Sequence, residues 1–506
     1  MHPHESPADN TDHTLGTNPQ LPSLKLPDMF RLGLYQMGLG MMALLLDGII
    51  NRLMIKELTI PGSIALGLTA LPLLVAPARV WFGQLSDARS MGGYHRTGYV
   101  WLGTLIFGAV MFLSVQAMWQ LGLSLYQSGW SGVTIGWMVL LAVLLAIYGL
   151  AISASSTPFA ALLVDSSDEA NRSKLVGIVW SMLMVGIVVG AITISRPLPC
   201  VEQASNLSLF AQPERLAQLQ AGVNTTFTGV IAVVMGLAVA ATYGIEGKYS
   251  RFLARKAEDR LRRNPQLLDD AVDAAAPPRE DAVTLKDAWR ILTASRQTGL
   301  FFSFLILMTF GLFMQDGVLE PFGGEVFGMS ICQTTQLNAF FGIGTLLGLT
   351  LAGFVIVPKI GKQKTAKYGC IAVGCCSLLL AASGFTGQRP MLQGALLCFG
   401  LASGMTTSGA LSLMLDLTAV ETAGTFIGAW GLAQALARGL AKFAGGIALD
   451  VGRVTLHTPP LAYGLVFVLE GGLLLLAVWL LSRVNVQEFR DDAKRAIAAV
   501  FASELD

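Results

Sequence analysis

Twelve apolar runs of about twenty residues constrain this chain more than any other feature, because each is long enough to cross a hydrocarbon core of about 30 Å at 1.5 Å per helical residue. They fall at about 31–52, 64–86, 97–119, 134–163, 175–195, 226–245, 299–318, 334–357, 367–386, 391–416, 424–449 and 461–482. The expected fold is therefore an all-α polytopic membrane protein with twelve transmembrane helices in two six-helix halves. Composition agrees: 53% of residues are hydrophobic and 13% charged, about half the charge of a soluble domain. A net charge of +1 offers no basic excess for nucleic acid. Residues 1–28 are polar and lack the apolar core of a cleavable leader, so they read as a disordered tail.

Lysine and arginine orient the spans. With both termini cytoplasmic, the inner side carries Lys25, Arg31, Arg79, Arg89, Arg96, Arg172 and Lys174, the cations from Lys248 to Arg296, then Lys359, Lys362, Lys364 and Lys367, and those of the C-terminal tail. Only Arg52, Lys56, Arg196, Arg215, Arg389 and Arg453 fall outside, and Arg438 and Lys442 lie within a span. The expected domains are a 1–28 tail, a 29–245 half, a 246–298 cytoplasmic loop, a 299–483 half and a 484–506 tail. Within the loop, Thr284 to Leu292 reads as an amphipathic helix at the interface, either an anchor or a docking site for a partner.

The two halves are related. Asp47-Gly48-Ile49-Ile50-Asn51 echoes Asp316-Gly317-Val318-Leu319-Glu320, and Leu68-Thr69-Ala70 echoes Leu337-Asn338-Ala339 at the same offset. From Gly311 to Gly348 the pattern reads as an apolar segment ending in Asp316 and Glu320, a Gly-rich turn, and a second apolar segment. A second repeat pairs Asp165, Gly177 and Trp180 with Asp416, Gly428 and Trp430. Its different offset is read as a longer connection, about 120–133, between spans three and four. Upstream, Ser153 to Pro158 parallels Ser403 to Gly409, small and hydroxylated residues that let helices approach closely. Two six-span halves in parallel repeat form the architecture of the major facilitator superfamily.

Gly83-Gln84-Leu85-Ser86-Asp87-Ala88-Arg89, followed by His95-Arg96, resembles that superfamily's G-x-L-x-D-R-x-G-R-[RK] loop. The resemblance implies an inner gate at Gly83, Asp87, Arg89 and Arg96, latched by pairing across helix ends. This copy departs from the pattern: its first arginine comes one place late, Met91-Gly92-Gly93-Tyr94 is inserted, and the only charge near the start of span eleven is Glu421. The latch therefore reads as structural.

Four stretches narrow the resemblance: Asn51 to Leu58 (NRLMIKEL), Val75 to Gly83 (VAPARVWFG), Gln315 to Met329 (QDGVLEPFGGEVFGM) and Gly424 to Ala435 (GTFIGAWGLAQA). Together they resemble the PucC/LhaA, or bacteriochlorophyll delivery, family of the major facilitator superfamily over residues 25–485. Phe82 to Ala88 with Tyr94 to Tyr99 is more similar to cyanobacterial than to purple-bacterial members. The resemblance implies a bacterial cytoplasmic, intracytoplasmic or thylakoid membrane and assembly of light-harvesting or photosystem complexes. It further implies chlorophyll or bacteriochlorophyll as cargo, with light-harvesting or photosystem subunits, chlorophyll-synthesis enzymes and membrane lipids as partners.

Chlorophyll magnesium takes an axial ligand, yet His2, His4, His13, His95 and His457 all lie outside the expected spans. Candidate ligands at membrane depth are Asn51, Gln315, Glu320, Asn338 and Gln434, for each of which helix–helix hydrogen bonding is the plainer alternative. Arg438 and Lys442 share one helix face. Charges at this depth are costly and need partners, for which Asp47 and Asp316 are the candidates, forming either a substrate site or a static pair between halves. Glu470 in span twelve reads as a packing or protonated residue.

No phosphate-binding loop, dinucleotide fingerprint, zinc-protease motif or hydrolase elbow appears in a suitable context, so no enzyme and no tightly bound metal are expected. The six cysteines suggest neither a disulfide framework nor a zinc site and read as small hydrophobes. The rival to an assembly factor is an ion-coupled secondary transporter of a small amphiphile or anion.

Overall fold

The computed structural model describes residues 24–167, 169–200, 208–250, 296–417 and 423–484. Thr284 to Leu292, Glu421, residues 1–23 and residues 485–506 lie outside the described residues, as do the side chains of Asp416 and Trp430. Leu24 to Asp28, expected in the disordered tail, instead belong to the fold: Leu24 is buried and the first helix begins at Leu26.

Among the described residues, ten helices are long and apolar enough to cross a membrane: Leu26–Glu57, Gly62–Ala88, Thr97–Ser128, Gly132–Ser166, Lys174–Ile194, Pro213–Tyr249, Ile331–Ile360, Lys362–Thr386, Arg389–Met414 and Pro459–Ser482. Two more complete the twelve expected spans. Span seven is broken into Arg296–Phe313 and Leu319–Phe327. Span eleven, Ala423–Leu456, carries Arg438, Lys442, Asp450 and Arg453. The chain thus has the all-α, two-half architecture expected of it.

Three details differ from the sequence reading. The residues after 119 do not form a long connection: span three continues as helix to Ser128 and only Gly129–Ser131 links it to span four. Glutamines and serines interrupt the apolar run there without interrupting the helix, and Ser124 shares a hydrogen bond of 2.8 Å with Thr134. Span three is therefore 32 residues long against 25 for its counterpart, span nine. Second, Gly323 and Gly324 are not in a turn but inside the short helix Leu319–Phe327, which ends at the left-handed Gly328. Third, Cys200 and Cys332, 132 residues apart, form a disulfide with their Cα atoms 4.9 Å apart. Spacing along the chain could not show this pair, because only the packing of span eight against the end of span five brings the two together. Cys370, Cys375, Cys376 and Cys398 are free, as expected of small apolar side chains.

Close backbone approach holds each half together. Gly40 of span one lies against the backbone of Leu183, and Gly186 of span five against that of Met37; a Cβ at either would collide. The hydroxyl-rich stretch of span four works the same way: Ser155 meets the Tyr35 hydroxyl at 2.6 Å and donates to the Val100 carbonyl at 3.0 Å, tying spans one, three and four.

Candidate functional site

The acidic residues of the repeat meet the cations of span eleven between the two halves. Arg438 donates to Asp316 Oδ2 from Nη2 at 2.7 Å and from Nε at 3.2 Å, and its Nη2 lies 3.6 Å from Asp47 Oδ2. Lys442 Nζ is paired with Asp47 Oδ1 and donates to the Thr69 carbonyl at 3.3 Å. The Arg438 guanidinium also lies over the Phe313 ring, 4.3 Å from its centroid. Two anions therefore face two cations, and the cluster is neutral as a whole. Lys442 is sealed at 1% exposure, whereas Arg438 keeps 35% and Asp47 25%, so the arginine end of the cluster is the more open one.

Around this cluster the repeat is visible as chemistry. In the first half, Thr69 Oγ1 donates to Asn51 Oδ1 at 2.8 Å, and Asn51 Nδ2 donates to the Asp47 carbonyl at 2.9 Å. In the second, Asn338 Nδ2 donates to Glu320 Oε1 at 2.5 Å. Thr69 and Asn338 are the two matched positions of the repeat, as are Asn51 and Glu320. Span one widens to π-type turns over Leu44–Ile50 and Leu53–Glu57, with Leu58 N–H bonded five residues back to Leu53 at 2.9 Å. Such widenings concentrate at functional sites. Here it occurs where Glu320 presses across from span seven: a Cβ at Gly48 would collide with Glu320 Oε1.

Among the expected pigment ligands, Asn51 is committed at both ends of its amide and fully buried. Asn338 spends its amino group on Glu320. Gln315 is buried, and its Oε1 meets no hydrogen-bond partner among the described residues; neither does Glu320 Oε2. Gln434 is half-buried one turn before Arg438, on the same face of span eleven. Glu470 is fully buried in span twelve, whose backbone there lies against Gly311 of span seven.

The two halves are also tied together at the ends of the spans around Arg52 and Met329. Arg52 Nη2 donates to the Met329 carbonyl at 3.1 Å while its Nη1 meets Glu57 at 3.1 Å, and Lys56 donates to the Gly324 carbonyl at 2.7 Å. A Cβ at Gly324 would strike the Arg52 guanidinium, which accounts for that glycine inside a helix. Asp450 of span eleven accepts from Gly62 N–H at 2.7 Å and Ser63 N–H at 2.8 Å, satisfying orphan donors at the start of span two. Gln336 donates to Ser195 at 3.3 Å close to the disulfide.

The inner motif is built differently from the superfamily pattern. Gly92 and Gly93, with φ of 59° and 83°, make a two-residue turn in which Met91 and Tyr94 exchange backbone hydrogen bonds of 2.7 and 3.1 Å. This turn folds Arg96 back onto Asp87, and Arg96 also bonds Asp165 at 3.1 Å and Ser86 at 2.6 Å. Glu246 accepts from the backbone of His95, Arg96 and Thr97 at 2.7–3.0 Å, capping span three. Asp87 is thus tied inside its own half, to the ends of spans three and four; Arg89 is exposed, and Gly83 packs on Thr157. His95 is buried, with its backbone N–H donating to Glu246.

Sequence reasoning missed Thr69, Phe313, Asp450 and the cysteine pair. Thr69 alone had a signal, as a matched position of the repeat. Comparison with known proteins adds kinship to this geometry. A family described as "PUCC protein" matches residues 49–489. "Protein PucC" of Cereibacter sphaeroides is 30% identical over 469 residues, covering 91% of each chain. A protein of Rhodobacter capsulatus named "Bacteriochlorophyll synthase 44.5 kDa chain" is 30% identical over 470 residues, covering 90% of this chain and 95% of that one. Among solved structures, the D-xylose–proton symporter superposes with a TM-score of 0.58 at 15% identity, covering 90% of this chain and 96% of that one. At that identity the likeness shows the major facilitator fold and nothing of substrate.

Proposed function

Because the chain belongs to the PUCC protein family, we propose that it is a non-enzymatic, membrane-embedded assembly factor that holds chlorophyll or bacteriochlorophyll and delivers it to apoproteins of light-harvesting or photosystem complexes. The observation that carries this reading is the match over residues 49–489, joined to relatives named for PucC and for bacteriochlorophyll synthase. Light-harvesting or photosystem subunits and chlorophyll-synthesis enzymes are the partners this role requires. Both termini face the cytoplasm, following the lysine and arginine bias, and the membrane is a photosynthetic one.

The residues at the middle of the protein suit such a cargo. A large apolar ring system needs apolar walls with a few placed polar atoms. Gln434 and Gln315 carry amide oxygens suited to an axial contact, and Arg438 on Phe313 offers a flat cationic surface. The neutral charge cluster behind them favours no net ionic cargo. The likeness to solved transporters concerns the fold alone, so ion-coupled transport gains nothing from it.

The test is an absorption spectrum with pigment extraction on protein gently purified from a phototroph's membranes. Near-stoichiometric pigment, reduced several-fold by Gln434→Leu or Gln315→Leu, is the expected result. Protein free of pigment but carrying light-harvesting subunits would replace the carrier with a scaffold, and protein with neither would overturn the reading.

A further inference from the structure

We propose that the Cys200–Cys332 disulfide is a redox-dependent staple that holds the outer ends of the two halves together, so that the oxidised protein opens only toward its inner side. Cys200 follows span five of the first half, and Cys332 lies in the first turn of span eight of the second, so the bond joins the halves directly. It is the covalent member of a wider seam. Arg52 and Lys56 reach the Met329 and Gly324 carbonyls, Asp450 caps span two, and Gln336 meets Ser195 beside the bridge. Charged and polar ties of this kind break and reform as domains rock, whereas a disulfide does not.

The chemistry of the two sulfurs suits reversible closure. Cys332 is buried and Cys200 is exposed, so an exchanging thiol or disulfide reaches the Cys200 sulfur. To close the bridge, the Cys200 thiolate attacks the disulfide of an oxidising dithiol–disulfide exchange protein and releases one of its thiolates. The Cys332 thiolate then attacks Cys200 Sγ of the mixed disulfide, expelling the second. The two cysteines lose two protons and two electrons in all, and the carrier leaves as a dithiol. Such oxidants act outside the cytoplasm, and the bridge lies at the end of the molecule where lysine and arginine are scarce. The inference stands on the fold, on this bond and on the orientation proposed above, whatever the cargo.

Two measurements on the full-length protein in membranes test it. Free thiols are blocked with N-ethylmaleimide in denaturant, the protein is reduced, and the newly released thiols are tagged with a polyethylene-glycol maleimide. Two tags per chain are expected after reduction, and none in Cys200→Ser. The distance between spectroscopic labels carried on azide side chains at the exposed positions Trp130 and Gln388 is then followed. One distribution is expected in the oxidised protein, joined by a longer-distance population both on adding a phosphine reductant to the wild type and in Cys200→Ser. Absence of the two tags would overturn the proposal, as would distance distributions that stay the same with the bridge intact, reduced or removed.

Discussion

At the scale of single residues, the logic of the central cluster is that of charges that cannot be left alone. Arg438→Gln leaves Asp316, 12% exposed, facing apolar helices without its main partner. Stranding one member of a fully buried pair costs about 3 kcal/mol; with Arg438 a third exposed the loss is smaller, and the variant should still unfold at a lower temperature in mild detergent. Adding Asp316→Asn should recover much of that loss rather than deepen it, because the two act as one unit. A steric prediction concerns Gly48: Gly48→Ala pushes a methyl into Glu320 Oε1 and should destabilise the protein, and Glu320→Ala in the same chain should relieve the clash. Melting curves of the two single variants and the double variant decide it. Asp47, Asp316, Arg438 and Lys442 were legible in sequence because a charge within an apolar run is conspicuous and needs a partner. Thr69 was half legible, as a matched position of the repeat, and Phe313 was not, since a phenylalanine in a span looks the same whether or not it serves a site.

At the scale of elements, helix ends carry information that hydropathy does not. The N-terminus of span two has its cap on another helix, Asp450 of span eleven, so one side chain sets both a helix start and a contact between halves. Asp450→Ala should cost about 1 kcal/mol as a lost cap and raise the hydrogen-exchange rate of amides 62–66, while amides at the start of span four, capped locally by Ser131, stay unchanged. Twelve spans were readable from apolar length alone. The widened turns of span one were not, because nothing in the order Leu44–Ile50 marks an i→i+5 turn; its cause sits on span seven. The broken span seven was half legible: the glycines stand out, but Gly324 serves the Arg52 approach and Gly323 packs on Leu337 and Thr334 of span eight, rather than making a turn. The inserted Met91–Tyr94 turn likewise looked like damage to a motif, yet it returns Arg96 to Asp87.

The whole molecule was legible as a duplication, because matched Asp-Gly pairs at one offset survive wherever both halves bury the same chemistry. What the chain order could not show is which half touches which, and the sulfur bridge is the clearest case. Between Lys248 and Arg296 the chain offers many lysine and arginine positions to trypsin. A cut there severs the peptide but not the molecule, since Cys200 lies before it and Cys332 after it. On a non-reducing denaturing gel the nicked protein should migrate close to its intact 53.8 kDa, and reductant should split it into two pieces, one carrying each bundle of six helices. Once nicked, the protein becomes a two-chain molecule held by one sulfur–sulfur bond, in the way that some hormones and toxins are cut after folding and stay whole.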